Sequence, residues 1–157
     1  MVSQFVHQAS GGCHCDNIRV DIGLTAAPGN YRPRACDCDF CRKHGAAWLS
    51  DAKGSLRIHI NDPRERGSYR QGSEQAELLL CRKCGVLVGV MHQIEQRMYA
   101  AINVRVVHDA VQFGAEQTVS PQKLSPNEKV NRWRSLWFAD VQIHSVGSDK
   151  ERAVEVK

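Results

Sequence analysis

The seven cysteines of this 157-residue chain carry its clearest chemical signal, because all of them fall into three closely spaced groups. The groups are Cys13-His14-Cys15, Cys36-Asp37-Cys38-Asp39-Phe40-Cys41 and Cys81-Arg82-Lys83-Cys84. Thiolates at gaps of one and two residues, drawn from distant parts of a chain, are common ligands of zinc. A structural zinc needs four protein ligands and a catalytic zinc needs three, so seven cysteines match one zinc of each kind.

The spacing favours one division of the cysteines. The last group supplies a pair, which needs a second pair to complete a site of four thiolates. If that pair came from the middle group, one thiol of the middle group would remain unbound beside a metal, and the first group would have no partner. Taking it from the first group uses every cysteine. We therefore predict a structural zinc on Cys13, Cys15, Cys81 and Cys84, and a second, three-thiolate zinc on Cys36, Cys38 and Cys41.

The middle group has two interpretations. An open fourth position would suit a substrate thiol, because three anionic ligands make zinc a poor source of hydroxide, while metal binding converts a thiol into a thiolate. Alternatively, a histidine closes the site as a second structural zinc, with His14, His44 and His59 as the candidates. A middle group without stable metal is a third possibility.

The hydrophobic pattern predicts the elements that position these cysteines. Residues 18–24 alternate between apolar and non-apolar side chains, as in a half-buried strand, and shorter apolar runs predict strands at 4–9, 46–50, 56–60, 76–80, 86–91, 98–107 and 139–146. The middle cysteines fall in a tight turn ending near Gly45. Ser125-Pro126-Asn127-Glu128 has the composition of a capping box, which predicts one helix at 126–136. The predicted class is mainly β, with a single domain over residues 1–146 and a charged C-terminal tail at 147–157.

The bulk composition narrows the function. A net charge of +4, with basic residues scattered along the chain, favours a small anionic ligand over nucleic acid. No apolar run approaches the roughly 20 residues that span a bilayer, and the first ten residues lack the features of a secretory signal. Seven cysteines are an odd number, so reduced thiolates in a cytoplasm are expected rather than a disulfide framework.

The ordered cysteine groups resemble those of the glutathione-dependent formaldehyde-activating enzyme family, also called the centromere protein V domain. The likeness extends over roughly residues 5–108 and includes Ala101-Ile102-Asn103-Val104-Arg105 after the last group. It implies a β-tent fold of bent antiparallel sheets, a structural zinc on the first and last groups, and a catalytic zinc on the middle one. The chain departs from the family pattern at Asp39 and over residues 121–141, which carry a Trp-rich helix.

The resemblance also implies a reaction. The family's named activity is formation of S-hydroxymethylglutathione from glutathione and formaldehyde, a carbon–sulfur lyase activity. The first hypothesis is therefore an enzyme that binds a thiol, glutathione by resemblance, at the zinc on Cys36, Cys38 and Cys41, and joins it to or releases it from a small aldehyde. The second hypothesis is a non-catalytic binding module whose fold is stabilised by zinc and which contacts a protein or a nucleic acid.

Four further features have both a functional and a structural interpretation. Asp37 and Asp39 flank the middle ligands and either steer a proton or hydrogen-bond the loop. Trp48 either lines a pocket or belongs to the core. Arg105 with Asn103 either holds a substrate carboxylate or lies on a strand exterior. The pair Trp133 and Trp137 is expected to pack the helix against the sheet.

Overall fold

Two β-sheets dominate the computed structural model, which describes residues 4–145. One sheet has four strands in the order β1-β2-β5-β11, and the other has seven in the order β10-β3-β4-β9-β8-β7-β6. The strands are β1 (His7–Gly12), β2 (Ile18–Leu24), β3 (Arg34–Cys36), β4 (Trp48–Leu49), β5 (Ser55–Ile60), β6 (Arg66–Tyr69), β7 (Glu77–Cys81), β8 (Leu87–Ile94), β9 (Arg97–Asn103), β10 (Gln117–Val119) and β11 (Asp140–Ser145). The α-helices are α1 (Asp39–His44) and α2 (Pro126–Leu136). The predicted mainly-β class is confirmed.

The four-stranded sheet follows directly from the alternating sequence of β2. Its apolar side chains are buried and the charged ones between them are exposed, so one face of the strand lies on the core. The same face continues onto β5, where Ile58 lies opposite Val20 in the antiparallel register. β1 and β11 complete the sheet, and β11 joins β5 in parallel. The sheet thus presents a continuous apolar layer to the rest of the molecule.

The cysteine groups lie at the ends of strands, which fix their positions. β1 stops at Gly12, immediately before Cys13, while β3 and β7 each end on a cysteine, Cys36 and Cys81 respectively. β8 and β9 form the long hairpin at the centre of the seven-stranded sheet, and β9 pairs with β4 on its other side. Each cysteine group therefore lies where the chain leaves a sheet, with a rigid strand behind it.

Several sequence predictions are corrected by pairing between distant segments. The first strand, predicted at 4–9, is observed at 7–12, and residues 117–119, for which no element was predicted, form β10, which pairs in parallel with β3. The strand predicted to reach residue 107 ends at Asn103 and is followed by a 3₁₀ segment, Val104–Val106. Gly11 is required there, because an added Cβ would lie 2.0 Å from the Val106 carbonyl oxygen. The predicted tight turn after Cys36 contains helix α1, so the prediction of a single helix is wrong.

The predicted domain limits are not tested by the fold. The final strand, predicted at 139–146, is observed as β11 up to Ser145. Residues 146–157, which include the predicted charged tail, lie outside the described residues. A single domain over residues 1–146 stays a prediction.

Helix α2 begins as the sequence predicts. The Ser125 hydroxyl accepts a hydrogen bond from the Glu128 backbone N–H, and the Glu128 carboxylate accepts one from the Ser125 backbone N–H. This reciprocal pair satisfies two backbone donors that a helix start otherwise leaves open. The helix packs Trp133 inward, and the backbone N–H of Trp137 donates to the Trp133 carbonyl at its end.

Ser125→Ala removes one half of this capping box. We expect the free energy of unfolding to fall by about 1 kcal/mol, and the melting temperature by about 2–4 °C. Thermal denaturation followed by circular dichroism measures the change. Ser125→Asp is the matched control, because an aspartate carboxylate also accepts from the N3 backbone N–H. A Ser125→Ala protein that melts at the wild-type temperature would show that the cap contributes little, and equal losses for both variants would show that the loss does not come from the cap.

Candidate metal centres and cavity

The first and last cysteine groups meet in space. The sulfur atoms of Cys13, Cys15, Cys81 and Cys84 all lie within 4.8 Å of one another. The Cys13 and Cys15 sulfurs are 3.7 Å apart, and those of Cys15 and Cys81 are 3.5 Å apart. Four sulfurs at about 2.3 Å from a tetrahedral zinc are separated by about 3.8 Å. The four-cysteine cluster therefore has the dimensions of a closed tetrathiolate site.

Two tight backbone turns give the four-cysteine cluster its shape. After β7, the Gly85 N–H donates to the Cys81 carbonyl at 2.8 Å, and Gly85 has a φ of +81°, where a side chain would be strained. The backbone N–H of Cys84 also points at the Cys81 sulfur, at 3.5 Å. In the other turn the N–H of Ile18 donates to the Cys13 sulfur at 3.3 Å. Such N–H groups stabilise negative charge on a thiolate sulfur.

The middle group is organised by helix α1. Cys38 is the N-cap of the helix, and its sulfur accepts a hydrogen bond from the Cys41 backbone N–H at 3.4 Å. Cys36 precedes it at the end of β3, and Gly45 ends the helix in the left-handed conformation. The three sulfurs lie within 4.8 Å of one another. The six-residue helix thus brings the sulfurs of the three middle cysteines together in a compact group, the three-cysteine cluster.

The protonation of the thiols indicates what each cluster can bind. A hydrogen bond with the Cys41 thiol lowers the pKa of Cys36 to about 6, and that same bond together with burial raises the pKa of Cys41 above its usual range. In the other cluster, burial raises the pKa of Cys13 to about 12. Burial also acts on Cys84, but backbone and thiol hydrogen bonds outweigh it and lower its pKa to about 6. Without a cation, neighbouring thiols must share protons, so both donor sets fit a thiophilic divalent ion such as zinc.

The candidate histidines do not join the three-cysteine cluster. His14 and His44 are exposed, and the His44 ring lies against Phe40 with 4.6 Å between ring centroids. His59 is 3.0 Å from the Asp21 carboxylate on the other sheet. Among residues 4–145, no histidine or carboxylate completes the group. A metal held there would have three protein ligands, which is the donor number that leaves a position open.

A cavity of about 360 Å³ lies beside the three-cysteine cluster, and all three of its cysteines line it. Its volume is near the lower end of the range for small-molecule sites, about 300–1,000 Å³. The apolar wall consists of Trp48, Leu78, Val90, Trp133 and Trp137. The last two indoles stack at 4.8 Å, so they both pack the helix and form the wall. Trp48 likewise lines the cavity while being buried.

The polar part of the cavity is mainly cationic. Arg34 from β3 and Arg132 from α2 face it, together with Lys129, Asp39 and Gln71. Burial, and then the nearby Arg132 charge, lower the pKa of Arg34 to about 10. Burial also lowers the pKa of Arg132, although the negative charge of Cys36 opposes the shift. Arg34 was recognisable from its position two residues before Cys36, whereas no feature of the sequence marks Arg132 or Lys129.

The remaining candidates have structural partners. Asp37 accepts hydrogen bonds from the Ser120 hydroxyl and the Gln122 side chain, which ties the segment after β10 to the cysteine turn. The Asn103 side chain is buried, donates to the Leu87 carbonyl and accepts from the Arg105 backbone. The Arg105 guanidinium pairs with Glu116 at 2.7 Å. The Asn103 and Arg105 pair does not line the cavity, so these residues do not support the expected carboxylate site.

Comparison with known proteins agrees with this arrangement. A mainly-β fold with one four-cysteine and one three-cysteine cluster, the second opening onto a cavity, defines a class of proteins that can hold two metal ions. The model of the family described as "Glutathione-dependent formaldehyde-activating enzyme" matches residues 8–128. The chain belongs to this family, and the resemblance drawn from its cysteine groups is confirmed.

A solved structure supports the fold independently. A crystal structure of a Rhodobacter sphaeroides protein from a structural genomics programme is similar, with a TM-score of 0.50 and 23% sequence identity. The similarity covers 76% of this chain and 93% of that one. No curated protein matches the chain. Within residues 4–145, no helix has the length and apolarity needed to cross a membrane.

Proposed function

We propose that this protein is an enzyme of the carbon–sulfur lyase type, which joins a thiol, glutathione in the first instance, to a small aldehyde such as formaldehyde, or releases it. The observation that carries the proposal is that Cys36, Cys38 and Cys41 form a three-donor cluster whose sulfurs line a cavity of about 360 Å³. Membership of the family supports the choice of glutathione and formaldehyde. The proposal assigns a second, structural zinc to Cys13, Cys15, Cys81 and Cys84.

The three-cysteine cluster would act by presenting a thiol in a fixed place. Zinc bound there would supply an open coordination position and lower the pKa of a thiol that occupies it. The substrate sulfur then forms a bond to the carbonyl carbon, the C=O double bond becomes a single bond, and the thiol's proton ends on the new hydroxyl oxygen. Trp48 and the stacked pair Trp133 and Trp137 limit the water that reaches the reacting atoms, and orientation by the cavity contributes to the rate.

The proposal predicts a rate above the spontaneous reaction. Exchange between formaldehyde and S-hydroxymethylglutathione is followed by NMR, with zinc-loaded protein and without protein. We expect acceleration that saturates with glutathione in the wild type and is lost in Cys41→Ala, which removes a donor of the cavity cluster. Protein that leaves the exchange rate at its spontaneous value, while retaining two metals per chain, would contradict the enzymatic proposal.

The binding-module hypothesis lacks an observation of its own. It expects an outward stripe of basic residues, whereas Arg34 and Arg132 face a cavity of small-molecule size. The predicted cytoplasmic location accompanies the enzymatic proposal, because cysteines that form no disulfides and bind metal as thiolates suit a reducing compartment. We therefore retain the enzyme as the single proposed function.

A further inference from the structure

Two arginines line the cavity, Arg34 and Arg132, and neither has a carboxylate partner among residues 4–145. Arg34 makes one side-chain hydrogen bond, to the Ser50 hydroxyl at 2.7 Å. Five of the other eleven arginines among residues 4–145 pair with a carboxylate, namely Arg57, Arg64, Arg66, Arg70 and Arg105, and what distinguishes Arg34 and Arg132 from the remaining ones is that they line the cavity together. Two unpaired cations that approach each other in a partly buried site are unfavourable unless an anion joins them.

We propose that Arg34 and Arg132 bind a carboxylate of the thiol substrate, and that this pair makes the enzyme selective for thiols that carry one. The inference rests on the proposed function, because it adds a second binding point for the substrate to the thiol position at the three-cysteine cluster. The thiol would lie at the three-cysteine cluster, and the carboxylate would lie between β3 and α2. A guanidinium presents a planar fork of donors that matches the two carboxylate oxygens.

The position of Arg34 is fixed before any ligand arrives. Its donor contacts the hydroxyl of Ser50, which is buried and itself donates to the Leu136 carbonyl at 2.7 Å. Because Leu136 is the last residue of α2, this chain of hydrogen bonds links β3 to the helix that carries Arg132. Little side-chain entropy is therefore lost when a carboxylate binds, and such preorganisation favours affinity.

The charge around the cavity also favours an anion. With zinc bound, three thiolates leave the cluster with one net negative charge. Asp39 adds another, while Arg34, Arg132 and Lys129 contribute three positive charges to the lining. The site therefore keeps one net positive charge when it is free of ligand. Glutathione enters with two carboxylates and one ammonium group, so its single net negative charge is complementary.

Arg132, which contributes to the proposed selectivity for a carboxylate, lies outside the segment that the family model matches. The match ends at residue 128, whereas Arg132 follows it on the second half of α2. The cysteine clusters and Arg34 thus lie within the matched segment, whereas the helix face that carries Arg132 lies beyond it.

The test compares glutathione with its diethyl ester, which keeps the thiol but lacks both carboxylates. Affinities are measured by calorimetry on zinc-loaded protein, for the wild type and for Arg132→Gln, Arg132→Lys and Arg134→Gln. We expect the wild type to bind glutathione at least tenfold more tightly than the ester, since a charge-assisted pair typically contributes that much. We expect Arg132→Gln to lose most of this preference by weakening glutathione alone, and Arg132→Lys to restore part of it.

Arg134→Gln is the matched control, because it removes the same charge from an exposed position of the same helix. We expect it to behave as the wild type does. A wild type that binds the ester as tightly as glutathione, or an Arg132→Gln protein that keeps the full preference, would overturn the inference.

The failure of the proposed function has a different signature. Cobalt(II)-substituted protein reports thiolate binding through its sulfur-to-metal absorption band. Glutathione that binds with the expected preference but leaves this band unchanged would support the arginine pair and contradict the thiol site. A band that changes at the same concentration of glutathione and of the ester would support the thiol site and contradict the arginine pair.

Discussion

Cys84→Ala is expected to leave most of the chain unfolded at 25 °C. Cys84 lies in the turn after β7, and its sulfur belongs to the four-cysteine cluster. Where the unfolded chain has no preformed site, the free energy of metal binding becomes free energy of folding. For structural zinc in small peptides this is roughly 10–16 kcal/mol, as large as the whole net stability of a domain, about 5–15 kcal/mol. Losing one of four ligands removes much of it.

Circular dichroism melting and the zinc content of the purified protein measure this effect. Wild-type protein with excess chelator should unfold in the same temperature range, because it loses the same stabilisation. Lys83→Ala is the matched control, since Lys83 is an exposed residue of the same turn. Cys84→Ala protein that melts at the wild-type temperature and keeps two metals per chain would disprove the structural role of the four-cysteine cluster.

Cys36→Ala is expected to lower the metal content from two ions per chain to one while the fold persists. Cys36 belongs to the three-cysteine cluster, which lines a cavity. The two sheets keep the core that surrounds the other cluster, including Cys13 and Cys81. Glutathione binding should fall below detection by calorimetry, because the thiol then has no metal to bind. Elemental analysis and melting on the same sample measure both effects.

Two variants of Cys38 separate the metal from the helix cap. Cys38→Ala should lose the same metal ion and, in addition, the hydrogen bond that the Cys38 sulfur accepts from the Cys41 N–H. We expect this extra loss to cost about 1 kcal/mol, which Cys38→Ser should largely restore because serine is a good N-cap. One metal per chain in both the wild type and Cys36→Ala would show that the three-cysteine cluster is not a metal site, and the proposed function would lose its main support.

Local patterns in the sequence were sufficient where a short segment determines its own structure. The alternation of β2 and the capping box at Ser125 each predicted an element with the observed bounds, Ile18–Leu24 and Pro126–Leu136. Helix α1 was missed because six residues are too few for a periodic signal. β10 was missed because its three residues pair with β3 from far along the chain, and a pattern within a short window contains no information about such a partner.

The sequence by itself determined the donor chemistry of the two candidate metal sites. Seven cysteines at close spacings select a thiophilic metal, and their division into four and three is the one that the fold brings together. Only the tertiary structure decided what faces the open side of the three-cysteine cluster. Arg34 and Arg132 are far apart along the chain and both line the cavity, where Ser50 hydrogen-bonds to Arg34 of β3 and to the Leu136 carbonyl at the end of α2. Ligand spacing is a local property of the chain, whereas a binding cavity arises from packing between distant segments.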